Sequence, residues 1–279
     1  MAIIGAGELG GAVAHALASR EAISHIVLID PAASAAAGKA LDIQQMGAIT
    51  GAHTQLRGTA DLSEALGCVG LIVADQFRTN AGEWRGAEGL EQLRTIASML
   101  RDAPVVLAGA DQTDLLAQGV RETGIARRRI LGSAPEAFAS ALRAIVALEA
   151  RCAPFEVMLS VLGAPPDGFV VPWSEAGIGG YALTRVLTPV QLSRVEGRAG
   201  RLWPPRPYAL GLAAAMVTEG LLQSGRRAYN VLAMLDGELG VRGRVSAVPA
   251  FLDAGGLAGL REPSLSVRER VQFETALGG

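Results

Sequence analysis

Lysine is almost missing from this chain: Lys39 is the only one, and arginine supplies the rest of the basic charge. The formal charge is −2 and the one basic block is Arg127-Arg128-Arg129, so nucleic acid is not an expected partner. Cysteine is nearly as scarce. Cys68 and Cys152 stand alone without metal-ligand spacing, which predicts a disulfide-free chain and no metal site. No apolar run approaches the roughly 20 residues that cross a bilayer, and no basic segment leads into a signal-type apolar stretch. A cytoplasmic location without a membrane partner is expected. Histidine is confined to His15, His25 and His53, all in the first third. Internal repeats and low-complexity segments are absent.

What remains is a chain of 279 residues, 50% hydrophobic and 19% charged, enough for one large or two modest domains with substantial cores. Its start carries the most information. Ile3-Ile4-Gly5-Ala6-Gly7-Glu8-Leu9-Gly10 reads as a short apolar strand, a glycine turn and the opening of a helix. A second apolar strand, His25-Ile26-Val27-Leu28-Ile29, then ends at Asp30. This is the dinucleotide-binding fingerprint in the context it requires. Gly5 allows the tight turn, Gly7 lets the backbone approach a pyrophosphate at the positive helix end, and Gly10 lets helix and strand pack closely. Asp30 accepts from two ribose hydroxyls and repels a 2′-phosphate, which favours NAD over NADP. Glu8 reads either as a first-turn residue directed to water or as a charge that weakens the cofactor site.

Strands and helices alternate through the first half, the pattern of a Rossmann-type, doubly wound parallel sheet. After the first unit come a helix near Ala33–Met46 and strands near Thr54–Arg57 and Val69–Ala74. A helix Glu83–Arg101, a strand Pro104–Ala108, a helix Thr113–Glu122, a strand Arg129–Gly132 and a helix Glu136–Ala150 follow. The second half reads as α+β with antiparallel strands: Phe155–Leu162, Gly168–Pro172, Ala228–Leu235 and Val245–Phe251. Its helices are Pro189–Arg198, an Ala-rich Tyr208–Gln223 and a terminal one near Val267–Leu277. The expected domains are 1–150, for the dinucleotide, and 151–279, for substrate or assembly.

Several segments together make the chain resemble the lactate/malate dehydrogenase family. They are Gly5–Gly10 with Asp30, Gly38-Lys39-Ala40-Leu41-Asp42, Gly58-Thr59-Ala60-Asp61, Tyr208-Ala209-Leu210-Gly211-Leu212 and Leu235-Asp236-Gly237-Glu238-Leu239-Gly240-Val241. The resemblance covers essentially the whole chain. It implies NAD as cofactor, a homodimer or homotetramer, and hydride transfer between NAD and a 2-hydroxy acid. In that chemistry a histidine oriented by an aspartate exchanges the hydroxyl proton, because its pKa lies near neutrality. One arginine clamps the substrate carboxylate in two-pronged fashion, and a second, on a mobile loop, polarises the carbonyl. The cofactor-binding candidates are Gly5, Gly7, Glu8, Leu9, Gly10, Asp30, Ala74 and Asp111.

The resemblance breaks at the reacting groups, and no catalytic residue is identified. The segment matching the family's Gly-His-Gly-Asp is Gly163-Ala164-Pro165-Pro166-Asp167-Gly168, with Pro165 at the histidine position. Phe138 and Ala141 stand where the orienting aspartate and the carboxylate-binding arginine belong. Moving the match by two offers Arg143, with Ser140 as its partner position, so Arg143 either binds an anion or lines the helix surface. Arg78 and Arg85 resemble the loop arginines, or are a solvated loop and helix-start charges. Arg206 either replaces the lost clamp or plugs the pocket. Asp111-Gln112-Thr113-Asp114 matches a segment that touches the nicotinamide ribose, with aspartate in place of asparagine. The stretch between Gly180 and Tyr208 is shorter than in the family. The substrate candidates are therefore Arg78, Arg85, Arg143 and Arg206.

Three readings follow. The first is an NAD-binding protein that lacks the standard malate or lactate reaction. The second is an oxidoreductase on another hydroxy or keto substrate, with Asp167, Tyr181 or Tyr208 as proton donor. The third is a fold kept for assembly alone. The fingerprint favours the first two, and the loss of histidine favours the first.

Overall fold

Short runs of Ala, Val, Ile and Leu form the central parallel strands, each buried along its length apart from the first residue of one. The computed structural model describes residues 1–78, 82–99, 102–165 and 168–278. These strands are β1 (Ala2–Ile4), β2 (His25–Ile29), β4 (Leu71–Val73), β5 (Val105–Leu107) and β6 (Ile130–Gly132), with the more exposed β3 (Gln55–Thr59) at the edge. Alternate residues point to opposite faces, so such strands are apolar throughout only when both faces are covered. Ile3, Leu28, Ile72, Val106 and Leu131 share a core with α1 (Glu8–Ser19), α2 (Ala33–Thr50) and α8 (Pro207–Gln223). Ile4, Ile29, Val73, Leu107 and Ile130 face α3 (Gly86–Met99), α4 (Thr113–Glu122) and α5 (Ala134–Ala150).

The strand order begins β3-β2-β1-β4-β5-β6, the doubly wound arrangement. The chain leaves β1 and β4 in opposite directions, so a crevice opens beyond their carboxyl ends, where ligands of such sheets bind. The sheet then continues without a break into the second half. The antiparallel strand β12 (Tyr229–Asp236) pairs with β6 through Leu232 and Gly132, and β13 (Arg242–Asp253), β8 (Leu162–Ala164) and β9 (Gly168–Val170) extend it. The strand β14 (Gly256–Leu260) adds to β13. A separate small sheet holds β7 (Val157–Met158), β10 (Gly177–Ile178) and β11 (Tyr181–Ala182). Short α6 (Leu183–Val186), α7 (Pro189–Ala199) and terminal α9 (Val267–Ala276) complete the chain. The α/β class expected from the pattern is the one observed.

Some elements differ from expectation for local reasons. Phe155–Leu162 is not one strand: Pro154–Glu156 makes a 3-10 turn, with the Glu156 carboxylate 3.1 Å from the Ala153 amide, and only Val157–Met158 is extended before β8. The helix expected from Glu83 starts at Gly86, because Glu83 is drawn into a bridge with Asp75. Strand β13 outruns its expected ends at both sides, since β12 and β14 both supply it with ladder partners.

The Ala-rich α8 lies along α1, and Gly211 allows the approach: a methyl there meets Ala12 and Val13. Its first turn therefore ends beside the crevice, just after the Trp203–Arg206 loop.

Candidate functional site

At the fingerprint, β1 turns into α1 through Gly5, whose φ of +105° lies in the region only glycine adopts readily. Gly5 N–H donates to the Ile29 carbonyl at 2.7 Å, which ties the turn to β2. Gly7 is the N-cap of α1 and has no side chain to cap with, so the first helix N–H groups look elsewhere for acceptors. They find Asp75, two residues past β4. Its carboxylate accepts from Gly10 N at 2.8 Å and from Leu9 N at 3.2 Å, while its own carbonyl accepts from Gly7 N at 2.9 Å. Lys39 Nζ donates to the Gly7 carbonyl at 2.6 Å. Asp75 is 6% exposed, and burial pushes its carboxyl above the ordinary range. The Gly10 and Leu9 N–H groups and the Lys39 ammonium pull the other way and do not overcome it.

Asp30 ends β2 as expected, but it is turned inward. One oxygen accepts from Ala6 N and Phe77 N, both at 2.8 Å, and the other from Ala32 N at 2.8 Å. The carboxylate is thus a clasp between the glycine turn, the start of α2 and the segment after β4. Glu8 is exposed in the first turn of α1, at the edge of the cleft described below. Ala74 closes β4, buried, with its N–H on the Ile4 carbonyl at 2.9 Å.

A second carboxylate repeats the pattern at the end of β5. Glu83 accepts from Ala110 N at 2.7 Å, Asp111 N at 3.0 Å and Gln112 Nε2 at 3.0 Å. Asp75 and Glu83 also face each other in an antiparallel bridge, which sets the two acids side by side. Trp84, next to Glu83, is buried with its Nε1 lacking a partner, as does Gln112 Oε1.

Asp75 and Glu83 line a cleft of about 430 Å³ together with Glu8, Asp111, Arg85 and Arg206. Arg85 pairs with Asp111 at 3.2 Å and Glu83 at 3.6 Å. Arg206 caps α8 and has no carboxylate partner among the described residues. Arg78 is turned away from the cleft, paired with Glu88 and lying 5.6 Å over the Trp84 ring. The structure therefore brings two of the four candidate arginines to the cleft.

Arg143 is half-buried and already engaged by a carboxylate. It is held at 3.0 Å by Glu136, a fully buried carboxylate one helical repeat earlier on α5. Phe138 is also fully buried, edge-on to Phe169 at 4.5 Å and to Trp203 at 5.7 Å. Pro165 is buried, and its carbonyl accepts from Thr113 Oγ1 at 3.3 Å. His15, His25 and His53 are all exposed and none lines the cleft. Tyr181 and Tyr208 are largely exposed and do not line it either; Asp167 lies outside the described residues. Among the described residues no cluster fit for a metal occurs, and no helix is long and apolar enough to cross a membrane.

Asp75 and Glu83 escape a reading of motifs because neither belongs to one. The available signal is position: Asp75 follows a buried strand at the end of the sheet where ligands bind.

No family model matches this chain. It is 28% identical over 287 residues to a malate dehydrogenase of Sorangium cellulosum, covering 97% of this chain and 91% of that protein. Against a malate dehydrogenase of Cytophaga hutchinsonii it is 26% identical over 302 residues, covering 98% and 93%. Among solved structures, the malate dehydrogenase of Salinibacter ruber superposes with a TM-score of 0.87 at 23% identity, over 99% of this chain and 93% of that one. The lactate dehydrogenase of Cryptosporidium parvum, solved with lactic acid and nicotinamide adenine dinucleotide, gives 0.88 at 21%, over 99% and 94%. Likeness in sequence along the whole length and likeness in fold agree with the landmarks read from Gly5 to Val241: the chain is similar throughout to malate dehydrogenases and has the fold of lactate and malate dehydrogenases.

Proposed function

We propose that this protein binds NAD at the crevice between β1 and β4 and does not carry out the family's standard 2-hydroxy-acid reaction. Support for the cofactor comes from the strand, glycine turn and helix at Gly5–Gly10, from Asp30 at the end of β2, and from relatives that are dehydrogenases. The backbone frame fits a dinucleotide. The charges as arranged do not fit its diphosphate, because the Asp75 carboxylate holds the Leu9 and Gly10 N–H groups.

The observation that carries the second half is the pair standing where a proton-exchanging couple belongs. Pro165 has no proton to exchange, and Phe138 is packed between Phe169 and Trp203. Loss of a positioned acid/base group typically slows a reaction by about 10²–10⁴-fold, or about 3–5 kcal/mol of barrier. An arginine such as Arg85 does not replace it, since a guanidinium keeps its proton at any working pH.

The test is NADH oxidation in the presence of oxaloacetate or pyruvate. The expected rate equals that without either acid. Turnover at an ordinary enzymatic rate, on the order of 10 per second, would overturn the reading.

A further inference from the structure

Most of the groups that the crevice would offer a dinucleotide are already engaged from within the chain, Arg206 being the exception among the described residues. Leu9 N and Gly10 N are taken by Asp75, Ala110 N and Asp111 N by Glu83, and both oxygens of Asp30 by Ala6, Ala32 and Phe77. Asp75 is no local helix cap: it reaches α1 from 65 residues further along the chain. We propose that Asp75 and Glu83 are internal ligands of the dinucleotide crevice, an autoinhibitory contact that the cofactor must displace in order to bind. This rests on the NAD-binding reading above.

Three features support it. A carboxylate at the start of a helix uses the same N–H groups and the same positive helix end that a diphosphate uses, so the two compete for one seat. The bridge between Asp75 and Glu83 couples the two plugs, because moving the backbone at one moves its partner. The cleft also carries four carboxylates, from Glu8, Asp75, Glu83 and Asp111, against Arg85 and Arg206, and Arg85 is already engaged by two of the acids. A diphosphate entering this field meets repulsion until Asp75 swings out. Burial holds the Asp75 carboxyl above its ordinary pKa, so its anion is poorly accommodated and gains hydration when it leaves.

The experiment is calorimetric titration of NAD⁺ into the wild-type protein, Asp75→Ala and the double variant Asp75→Ala/Glu83→Ala, with circular dichroism to establish folding. The expected result is affinity at least tenfold tighter in Asp75→Ala than in wild type, and tighter again in the double variant. Measurable binding with an equal or weaker affinity in Asp75→Ala overturns the proposal and leaves the NAD reading standing. Folded proteins that all ignore millimolar NAD⁺ refute the NAD reading, and the competition falls with it. Should Asp75→Ala fail to fold, Glu83→Ala alone serves instead, because it frees the Ala110 and Asp111 N–H groups and leaves the Asp75 seat on α1 in place. A gain in affinity supports the proposal there too, and no gain overturns it.

Discussion

Gly7 and Asp75 are in contact twice: the Gly7 N–H donates to the Asp75 carbonyl at 2.9 Å, and the space a Gly7 methyl would fill is taken by the Asp75 carboxylate. The middle glycine of the fingerprint is thus required by the protein itself. A glycine at this position is usually explained by the close approach of a pyrophosphate. Here an internal anion makes the same approach, so the glycines alone do not separate a chain that binds the cofactor from one that has replaced it.

That contact gives a direct test on stability. Gly7 has φ −68° and ψ −159°, an extended conformation open to any residue, so Gly7→Ala introduces no backbone strain. Its whole cost comes from crowding the Asp75 side chain, on the order of 1–3 kcal/mol for an overpacked site. In an Asp75→Ala background the obstacle is gone and the cost should vanish. Chemical denaturation of the four proteins of this cycle measures the coupling. Equal cost in both backgrounds would show that Asp75 does not sit on Gly7.

The glycine turn was legible in the sequence because everything that specifies it is local: an apolar strand, three glycines and an acid within thirty residues. Helix α4 lies over the residues expected, Thr113–Glu122. The strand β14 was not legible, since Gly256–Leu260 has little strand character of its own and is extended because β13 supplies the ladder. The same holds at the site. Asp75 and Glu83 gain their meaning from N–H groups on α1 and after β5, which no spacing along the chain reveals. Arg143 is a case between the two. Glu136 precedes it by seven residues, a helical repeat that places both on one face, so their pairing was open to a reading that followed charge as well as motif.

Glu136 supplies a second prediction. It is fully buried and accepts from Asn230 N at 2.8 Å, Asn230 Nδ2 at 3.0 Å and Arg143 at 3.0 Å, with Arg227 at 3.7 Å. Removing the acid in Glu136→Ala leaves the Asn230 N–H and a mostly buried guanidinium without their acceptor. Loss of one member of such a pair costs about 3–5 kcal/mol. Glu88→Ala breaks only the pair with Arg78, whose partners are both well exposed, and should cost at most about 1 kcal/mol. Thermal melting of the two variants side by side checks the contrast; similar Tm losses would contradict it.

Phe138 bears on the proposed absence of the standard reaction, because its site does not accept an acid by simple exchange. Phe138→Ala empties the space between Phe169 and Trp203 and should cost about 3–5 kcal/mol. Phe138→Asp, the change toward the family's orienting acid, leaves the same cavity and adds a carboxylate to an apolar site. It should unfold at lower denaturant than Phe138→Ala at neutral pH, and the gap should narrow as acid neutralises the aspartate. Urea midpoints at two pH values decide the matter.

The last prediction concerns pH and follows from the direction of the Asp75 shift. With its carboxyl raised above the ordinary aspartate value of about 3.9, Asp75 holds a proton more tightly in its seat on α1 than in water. Acid therefore stabilises the seated form, and rising pH through the raised pKa loosens it. The charged groups around the seat are Lys39 from α2, which opposes the shift, and Glu8 of α1, Glu83 across the bridge, Asp111 after β5, and Arg85 and Arg206, which line the same cleft. Because the cofactor must displace the seated carboxylate, NAD⁺ affinity should strengthen as pH rises above the ordinary aspartate value and level off once Asp75 is ionised in place. The limiting slope for one proton is tenfold per pH unit. Asp75→Asn cannot lose that proton, so its affinity should be flatter across the same range. Titrations of both proteins from pH 4.5 to neutrality read this directly, and parallel profiles for the two would place the titrating group elsewhere.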